Sequence, residues 1–363
     1  MARPVVLVQH PHGAEISGVS TYVANIDRAL SSCEGAEVRV VSSKTDSLRT
    51  RLEAMTGVDY VHLNSNDLPL AIAARLARKR VSIKYHWPFW LSTRDTFAPV
   101  GWRRRLAVEL VYIWHEYLMA RGPIAGARAY ARLTMRLVTF AIVPTRLACS
   151  DFTARAVEAG SAVVGVPNPF DLDASASQTD EARTSSALEF RFVFVGRVVR
   201  DKGVDLLLRA SAVLAREGRD FSVSVIGDGD AFADVRALAT ELGLDGHVDF
   251  VGRRTPAEIL ETLESALALV YPARWEDPAP YPPLEAAARG VVTIAADVGG
   301  LPETAGPDAY YFAREDVQAL AAAMRTCLND PGEAVRRGRA ARERAQSRYG
   351  LEPAAAALLA AIR

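Results

Sequence analysis

Short apolar runs rich in valine and isoleucine recur along the chain, and a longer segment in which apolar residues have helical spacing follows each of them. The runs are mostly continuous rather than alternating, which is typical of strands buried on both faces in a parallel sheet that helices cover. The pattern therefore predicts an α/β fold twice in succession. The runs span Val5–Val8, Val38–Val41, Tyr60–Leu63, Val81–Ile83, Phe190–Val195, Val223–Ile226, Val248–Val251, Ala268–Tyr271 and Val291–Ala295.

The least structured interval is residues 171–187, where serine, threonine and other small polar residues crowd together before a new series of strands and helices. It predicts a linker between an N-terminal domain, residues 1–170, and a C-terminal domain, residues 188–340. Residues 341–363 are expected to form a C-terminal helix that can cross back to the first domain. Two similar halves, each opening with a strand, indicate two Rossmann-like domains facing each other across a cleft, with ligands outside the carboxyl ends of the strands.

The composition fits a folded protein of two domains. The chain has 363 residues, 50% of them hydrophobic, and its 43 basic residues balance 43 acidic ones. Such a chain is neither disordered nor fibrous. Zero net charge argues against a general nucleic-acid-binding protein, which needs a positive excess. The few, distant cysteines predict neither a disulfide framework nor a zinc knuckle, and they fit a reducing cytoplasm.

The start of the chain lacks the pattern of a signal peptide, and no apolar run reaches the ~18 residues of a membrane span. We therefore expect a cytoplasmic protein that is at most peripheral at the inner membrane face. One region leaves membrane contact open, because in residues 102–146 many arginines and aromatic residues stand against only Glu109 and Glu116. Such a segment can dock on an anionic membrane or a bulky acceptor. Helices with solvated arginines beside a buried aromatic face are the alternative.

Two loops that follow predicted strands have features of an anion site. In residues 196–203, Arg197 can bind phosphate oxygens through two hydrogen bonds, and Lys202 adds a mobile charge beside the start of a helix. In residues 298–304, Gly299 and Gly300 let backbone amides approach a ligand without a Cβ clash. Ordinary surface turns are the alternative for both loops.

Between these two loops, residues 271–290 combine five prolines with three carboxylates, Glu276, Asp277 and Glu285. The prolines predict a rigid loop with the first two acids at its lip and Glu285 in the first turn of the next helix. An ionised carboxylate can accept hydrogen bonds from two neighbouring sugar hydroxyls, so the loop suits sugar recognition. Compensation of the helix dipole is the alternative role of Glu285.

The order of these motifs resembles the nucleotide-binding domain of the retaining GT-B glycosyltransferases of family four, the glycosyl transferases group 1. The similarity runs from Phe190 to Glu303 through Gly-Arg...Lys-Gly, Val-Ile-Gly-Asp-Gly, Phe-Val-Gly, Tyr-Pro, two acids separated by seven residues, and Gly-Gly-Leu-Pro-Glu. The first half is similar more loosely. The resemblance implies a GT-B fold over nearly the whole chain, except residues 93–146 and the linker.

The resemblance also implies roles for individual residues. Arg197 and Lys202 would hold the pyrophosphate of a nucleotide-diphosphate sugar, and Asp277 would contact the donor sugar. Glu285 would bind the ribose hydroxyls. The remaining donor contacts would be Gly18, Gly252, Arg253, Gly299 and Gly300, and Glu276 could reach the donor instead of Asp277. No tightly bound metal or other cofactor is expected, because cationic side chains and helix dipoles can stabilise the leaving diphosphate.

In the first half, the resemblance places His86 on the reacting face, near the anomeric carbon. A histidine packed among its aromatic neighbours is the alternative. The candidate contacts of the acceptor, which follow or end predicted strands, are His10, His62, Asn64 and Trp87.

Three departures from the family pattern concern the donor. Asp277 replaces a glutamate and is one methylene shorter, Pro280 lacks the amide of the usual glycine, and Ser17 replaces the first of two glycines. We therefore expect the nucleotide contacts to follow the family more closely than the sugar contacts. The predicted activity is retaining transfer of a hexose-like sugar from a nucleotide-diphosphate donor to a hydroxyl acceptor. A nucleotide-sugar epimerase of the same fold and a non-catalytic nucleotide-sugar-binding partner protein are the alternatives.

Overall fold

The computed structural model describes residues 3–10, 18–33, 35–86, 107, 110–111, 113–157, 163–172 and 189–362. The chain forms two compact units. The first contains the residues up to Phe170 and those from Tyr349 onward, and the second runs from Asp171 to Arg348. Within the described residues each unit has a parallel sheet of six strands with helices beside it, which confirms the predicted α/β fold. Most of the predicted linker, residues 171–187, lies outside the described residues.

The first unit has the strand order β2-β1-β3-β4-β5-β6, with β1 Val5–His10, β2 Glu37–Ser42, β3 Tyr60–Leu63, β4 Arg80–Tyr85, β5 Thr145–Ala148 and β6 Val164–Gly165. Its helices include α1 Gly18–Cys33, α2 Leu48–Ala54, α3 Leu68–Leu76, a π-helix Ile113–Met119, α4 Pro123–Ile142 and α5 Asp151–Val157. Alternate residues of β1 enter two cores: Leu7 packs with Val61, whereas Val8 packs with Ile26 of α1. Burial on both faces explains the continuous apolar sequence of the strand.

The second unit has the strand order β12-β11-β10-β7-β8-β9, with β7 Arg191–Val195, β8 Ser222–Ile226, β9 Val248–Gly252, β10 Ala268–Tyr271, β11 Val292–Ala296 and β12 Tyr310–Phe312. Its helices include α6 Val204–Arg216, α7 Phe232–Glu241, α8 Pro256–Glu264, α9 Pro282–Ala288, α10 Leu301–Ala305, α11 Val317–Asn329 and α12 Pro331–Tyr349. The central strand β7 again serves two cores, because Phe194 packs with Leu207 of α6 while Val193 packs with Leu263 of α8.

The C-terminal end of the chain belongs to the first unit. Helix α12 is continuous across residue 340, after which the sequence suggested a boundary, and it ends at Tyr349, whose carbonyl accepts a hydrogen bond of 2.8 Å from the amide of Phe170. Helix α13, Leu351–Ile362, then buries Leu358 in the same core as Ile26 of α1. The last helix is thus part of the core of the first unit.

All the apolar runs predicted as strands form strands, and no end is shifted by more than two residues. Three further strands among the described residues, β5, β6 and β12, have no comparable apolar run. In β5 only Leu147 and Ala148 are buried, β6 has two residues, and β12 has three. Such short segments lie below the length at which an apolar run distinguishes a strand from a turn.

Candidate functional site

The predicted donor residues of the second unit follow its central strands. Arg197 and Lys202 come after β7, Gly252 and Arg253 stand at the end of β9, Glu276 and Asp277 come after β10, and Gly299 and Gly300 come after β11. The strands between β11 and β9 pair in parallel, so these loops emerge at one edge of the sheet. This edge is where ligands bind in parallel α/β sheets.

Two glycines allow these loops to touch backbone to backbone. Gly203 has a φ of +71°, and a Cβ added there would lie 2.0 Å from the carbonyl oxygen of Pro272. A Cβ on Gly300 would lie 1.9 Å from the carbonyl oxygen of Pro278, and the Gly300 amide donates to Asp277 O at 2.9 Å. The loop after β10 is therefore fixed on one side to the Lys202 loop and on the other to the loop that contains Gly299 and Gly300.

Lys202, Tyr271 and Asp277 form a compact cluster at this edge. Lys202 Nζ donates to the Tyr271 hydroxyl at 2.7 Å and also to Asp277 Oδ2, and the Tyr271 hydroxyl donates to the same carboxylate oxygen at 3.0 Å. The side chains of Lys202 and Asp277 are only 13% and 19% exposed. The two predicted residues thus meet directly, with a tyrosine that the sequence analysis did not single out.

The cluster keeps Lys202 charged. Burial alone would lower the pKa of Lys202, but Tyr271 and Asp277 outweigh burial, so that its pKa is raised. Burial also raises the pKa of Tyr271, so the phenol keeps its proton and can donate to Asp277. A cation that is partly shielded from water attracts an anion more strongly than one in bulk solvent.

Arg197 and Arg274, which lie in the loops that carry this cluster, have contrasting surroundings. Arg197 is exposed, and within the described residues its side chain forms no hydrogen bond or ion pair, so it can reach a ligand. Arg274 instead binds both carboxylate oxygens of Asp205, at 2.6 and 2.8 Å, and also Glu315 at 2.8 Å. It therefore fixes the loop after β10 to the start of α6, a role that the sequence did not suggest.

The two other acids of the proline-rich loop have different surroundings. Glu276 lies 3.8 Å from Arg314 in a loose ion pair. Glu285, in the first turn of α9, has a buried Oε2 with no hydrogen-bond partner among the described residues, and burial raises its pKa to about 7. A buried oxygen without a donor calls for a physical explanation, and ligand hydroxyl groups would supply one.

Gly252 and Arg253 end β9 beside these loops. The carbonyl oxygen of Gly252 accepts a hydrogen bond of 2.8 Å from the Gly227 amide. Arg253 is largely exposed and lies 3.5 Å from Asp228. Their backbone is therefore fixed by the neighbouring strand end, while the arginine side chain is accessible.

In the first unit, the candidate residues divide into three groups. Gly18 is the first residue of α1, and His10 ends β1, where its carbonyl oxygen accepts a hydrogen bond of 2.9 Å from the Ser43 amide. Trp87 lies outside the described residues. His62, Asn64 and His86 belong to a buried network of polar side chains.

His86 is held in a defined orientation by Asn64 and Gln9. Asn64 Nδ2 donates to the backbone oxygen of Gln9 at 2.9 Å, which leaves Asn64 Oδ1 to accept from His86 Nε2 at 3.1 Å. The Gln9 side chain accepts from the Asn64 amide at 3.0 Å and donates to Ser43 and Ser65 at 2.9 and 2.8 Å. The bonding pattern fixes the proton of neutral His86 on Nε2 and leaves Nδ1 as an acceptor.

His62 lies inside the fold and has no exposed surface. Its Nε2 is 2.9 Å from the Tyr22 hydroxyl, and its Nδ1 is 2.7 Å from the Ser82 hydroxyl. Burial, followed by the charge of Lys84, lowers the pKa of His62 to about 3. Because both ring nitrogens are bonded internally, we no longer expect His62 to contact an acceptor.

No group of three or more histidine, cysteine, aspartate or glutamate side chains is arranged for metal binding in the part of the chain that the structure describes. Over the same residues, no helix combines the length and apolar character that a membrane crossing requires.

The chain is similar to known glycosyltransferases. A family model described as glycosyl transferases group 1 matches residues 178–344. A D-inositol 3-phosphate glycosyltransferase of Kribbella flavida is 30% identical over 98% of this chain and 92% of its own length. A 2-deoxystreptamine glucosyltransferase of Streptomyces kanamyceticus is 34% identical over 46% of this chain. The match covers 43% of that enzyme, so the chain spans less than half the length of this relative.

The fold is also similar to a solved structure. HepE of Anabaena, in complex with UDP-glucose, superposes with a TM-score of 0.68 at 16% identity, and the match covers 98% of both chains. At this identity the likeness shows the fold, which is the GT-B arrangement expected from the sequence.

Proposed function

The chain belongs to the glycosyl transferases group 1 with a GT-B fold, and from this premise we propose that it transfers a hexose-like sugar from a nucleotide-diphosphate donor to a hydroxyl acceptor, with retention at the anomeric carbon. The observation that carries the proposal is the Lys202–Tyr271–Asp277 cluster beside the exposed Arg197. Relatives that transfer sugars and a structural neighbour that binds UDP-glucose support a nucleotide-sugar donor.

Lys202 and Arg197 would bind the diphosphate together. Lys202 is already paired with one anion, the Asp277 carboxylate, and a donor phosphate can take the place of that carboxylate without a change in the charge beside Lys202. Asp277 then becomes free to accept hydrogen bonds from sugar hydroxyls. As the bond between the sugar and the diphosphate breaks, negative charge grows on the phosphate, and Lys202 stabilises it.

Glu285 would bind the ribose hydroxyls through its unpaired buried oxygen. Hydroxyl donors favour the ionised carboxylate, whereas burial favours the neutral acid and raises the pKa of Glu285 to about 7. Donor binding should therefore strengthen as the pH rises through 7.

His86 of the first unit would accept a hydrogen bond from a substrate hydroxyl through Nδ1, which the Asn64 contact leaves free. A neutral acceptor of this kind orients a hydroxyl without taking its proton. The departing phosphate oxygen would receive the proton of the acceptor hydroxyl, which attacks the oxocarbenium-like carbon from the same face. Gly18 would approach the phosphate through its backbone, and no metal is needed for these steps.

The arginine-rich segment, residues 102–146, would bind an anionic membrane. On α4 the exposed side chains include Ile124 (70%) and Met135 (44%), with the exposed Arg128 and Arg132 among them. Trp114 in the π-helix is 54% exposed. Apolar groups next to arginines suit insertion into the headgroup region of anionic lipids. Flotation with vesicles of phosphatidylcholine with and without phosphatidylglycerol tests this, and equal binding to both would contradict it.

A transfer assay tests the proposed activity. The protein is incubated with a panel of nucleotide-diphosphate sugars and hydroxyl acceptors, and proton NMR follows the anomeric configuration of the products. We expect a glycoside with the anomeric configuration of the donor. An inverted product would contradict retention, an epimer of the donor formed without acceptor would indicate an epimerase, and donor binding without turnover across the panel would indicate a binding protein.

A further inference from the structure

Lys84 is a fully buried lysine for which the proposed transfer has no direct use. It lies in β4, is 1% exposed and forms no ion pair with a carboxylate among the described residues. Its Nζ donates to the backbone oxygen of Pro167 at 3.2 Å and lies 4.1 Å from the centre of the Tyr22 ring. A buried lysine without an acidic partner is costly, which makes a function for its charge worth seeking.

The position of Lys84 connects it to His86. Lys84 lies in β4 and His86 directly follows this strand, and both side chains contact Tyr22. The Tyr22 ring links them, because the Lys84 ammonium lies over this ring and the ring packs edge-on against the His86 imidazole, with centroids 4.6 Å apart. The charge of Lys84 therefore acts on His86 across one aromatic ring, in a region from which water is largely excluded.

We propose that Lys84 is a positioning residue: its buried ammonium group keeps His86 an uncharged hydrogen-bond acceptor, while Asn64 fixes which ring nitrogen carries the proton. The inference rests on the proposed function in one respect, since it assigns His86 a hydroxyl group of the substrate as its partner.

The titratable groups around this pair support the assignment. Tyr22 faces them from α1, His62 from β3, and Cys149 from the residue after β5. Burial lowers the pKa of Lys84 to about 7, so Lys84 is protonated over the acidic range in which an ordinary histidine gains its proton. Burial first, then Lys84 and His62, hold the pKa of His86 well below its usual value.

The test is an NMR titration of the full chain labelled with ¹⁵N-histidine, with the His86 signals assigned by comparison with a His86→Asn sample. In the unchanged protein, we expect His86 to stay neutral, protonated on Nε2, through the acidic range in which an ordinary histidine gains its proton. In Lys84→Met, which keeps most of the length of the side chain, the proton affinity of His86 should rise at least about tenfold, or one pKa unit. Lys84→Arg should restore the low value, and Lys79→Met, just before β4, should leave it unchanged.

Two results would overturn the proposal: a His86 that titrates near pH 6.5 in the unchanged protein, or a Lys84→Met variant in which the titration does not move. The first result is decisive even if Lys84→Met does not fold. The titration needs no substrate, so a failure of the proposed sugar transfer would appear only in the transfer assay. Where transfer is measurable, kcat/KM of Lys84→Met should fall on the acid side with an inflection at the new His86 pKa, which a purely structural role would not produce.

Discussion

The two units share an architecture of parallel strands flanked by helices, but they treat buried charge in opposite ways. In the second unit, Tyr271 and Asp277 raise the pKa of the buried Lys202 and keep it charged. In the first unit, burial lowers the pKa of Lys84, His62 and His86. The pKa values of two buried lysines on related sheets are therefore shifted in opposite directions, and the cause is the pair of Tyr271 and Asp277 beside Lys202.

Under the proposed function, this difference gives the two sheet edges different chemistry. A permanent cation with an exchangeable anionic partner suits a diphosphate, whose charge grows as it leaves. A network of neutral hydrogen-bonding groups, such as Gln9, Asn64 and His86, suits hydroxyl groups, which need orientation rather than neutralisation. The comparison can be tested from both sides.

The largest expected effect is that of Lys202→Met on turnover. Removal of the cation that we propose to face the leaving phosphate should lower kcat by roughly 100-fold. Arg200→Ala, which removes an exposed cation from the same loop, should change kcat less than about twofold. Lys202→Met leaves the Asp277 carboxylate without its cation. The double variant Lys202→Met/Asp277→Asn removes this carboxylate as well, so that a loss of folding stability can be distinguished from the loss of the positive charge. A Lys202→Met enzyme with full activity would refute the proposal that Lys202 of the second unit stabilises the leaving phosphate.

Gln9→Met examines the neutral network of the first unit. Gln9 is fully buried, and its side-chain oxygen accepts from the amides of Asn64 and Ser65. Both amides would lose their partner, so we expect the free energy of unfolding in urea to fall by roughly 2–4 kcal/mol. The exposed Gln318→Met provides the control. If folded Gln9→Met bound nucleoside diphosphate more weakly, this would contradict the proposal that the second unit binds the diphosphate and the first unit orients hydroxyl groups.

Glu285→Gln should change the pH dependence of stability. The pKa of Glu285 is raised to about 7 in the folded protein from an ordinary value of 4.5. Between these values the folded state holds a proton that the unfolded state has lost, so native stability falls as the pH rises. Glutamine removes this loss, and the variant should gain roughly 2–3 kcal/mol over the native protein between pH 4.5 and 8. Urea unfolding across this pH range measures the difference in the free energy of unfolding between Glu285→Gln and the native protein, with the exposed Glu261→Gln as control. A difference that does not change with pH would contradict a raised pKa of Glu285.

Tyr271→Phe has the smallest expected effect. It removes one hydroxyl that accepts from Lys202 and donates to Asp277, while the ion pair between these two residues remains. Both hydrogen bonds of the hydroxyl are lost, but only the one from Lys202 holds the proposed diphosphate-binding cation in place. Its loss is worth about 1 kcal/mol, so diphosphate affinity should fall roughly fivefold by calorimetry. A loss as large as that of Lys202→Met would mean that the tyrosine, rather than the lysine, organises the site.

The loops of the second unit could be predicted because the residues that identify them lie close together in the sequence. Arg197, Lys202, Asp277 and Glu285 stand in short motifs that directly follow apolar runs, and a parallel sheet brings such loops to one edge. The sequence did not reveal Tyr271 or Arg274 as partners. Their contacts to Lys202 and Asp205 join residues 69 positions apart, and such distant pairs depend on strand order rather than on local sequence.

The buried polar network of the first unit could not be predicted from the sequence for the same reason. Tyr22 and His62 are 40 residues apart, and Lys84 and Pro167 are 83 apart. His62 stood at the end of an apolar run and was expected near the acceptor. The register of β3 pairs it with Ser82 of β4 and with Val8 of β1, which places it in the core. Only the pairing of strands distinguishes a residue at the edge from one in the interior.

The most direct test of the central claim is the affinity of Lys202→Met for nucleoside diphosphates and monophosphates, measured by calorimetry with the uridine, adenosine and guanosine series. We expect the diphosphate preferred by the unchanged protein to bind Lys202→Met at least about tenfold more weakly. The corresponding monophosphate should lose much less affinity, and Arg200→Ala should bind the diphosphate normally. Equal affinity of the unchanged protein and Lys202→Met for that diphosphate would contradict the claim that the charged cluster of the second unit holds the leaving group.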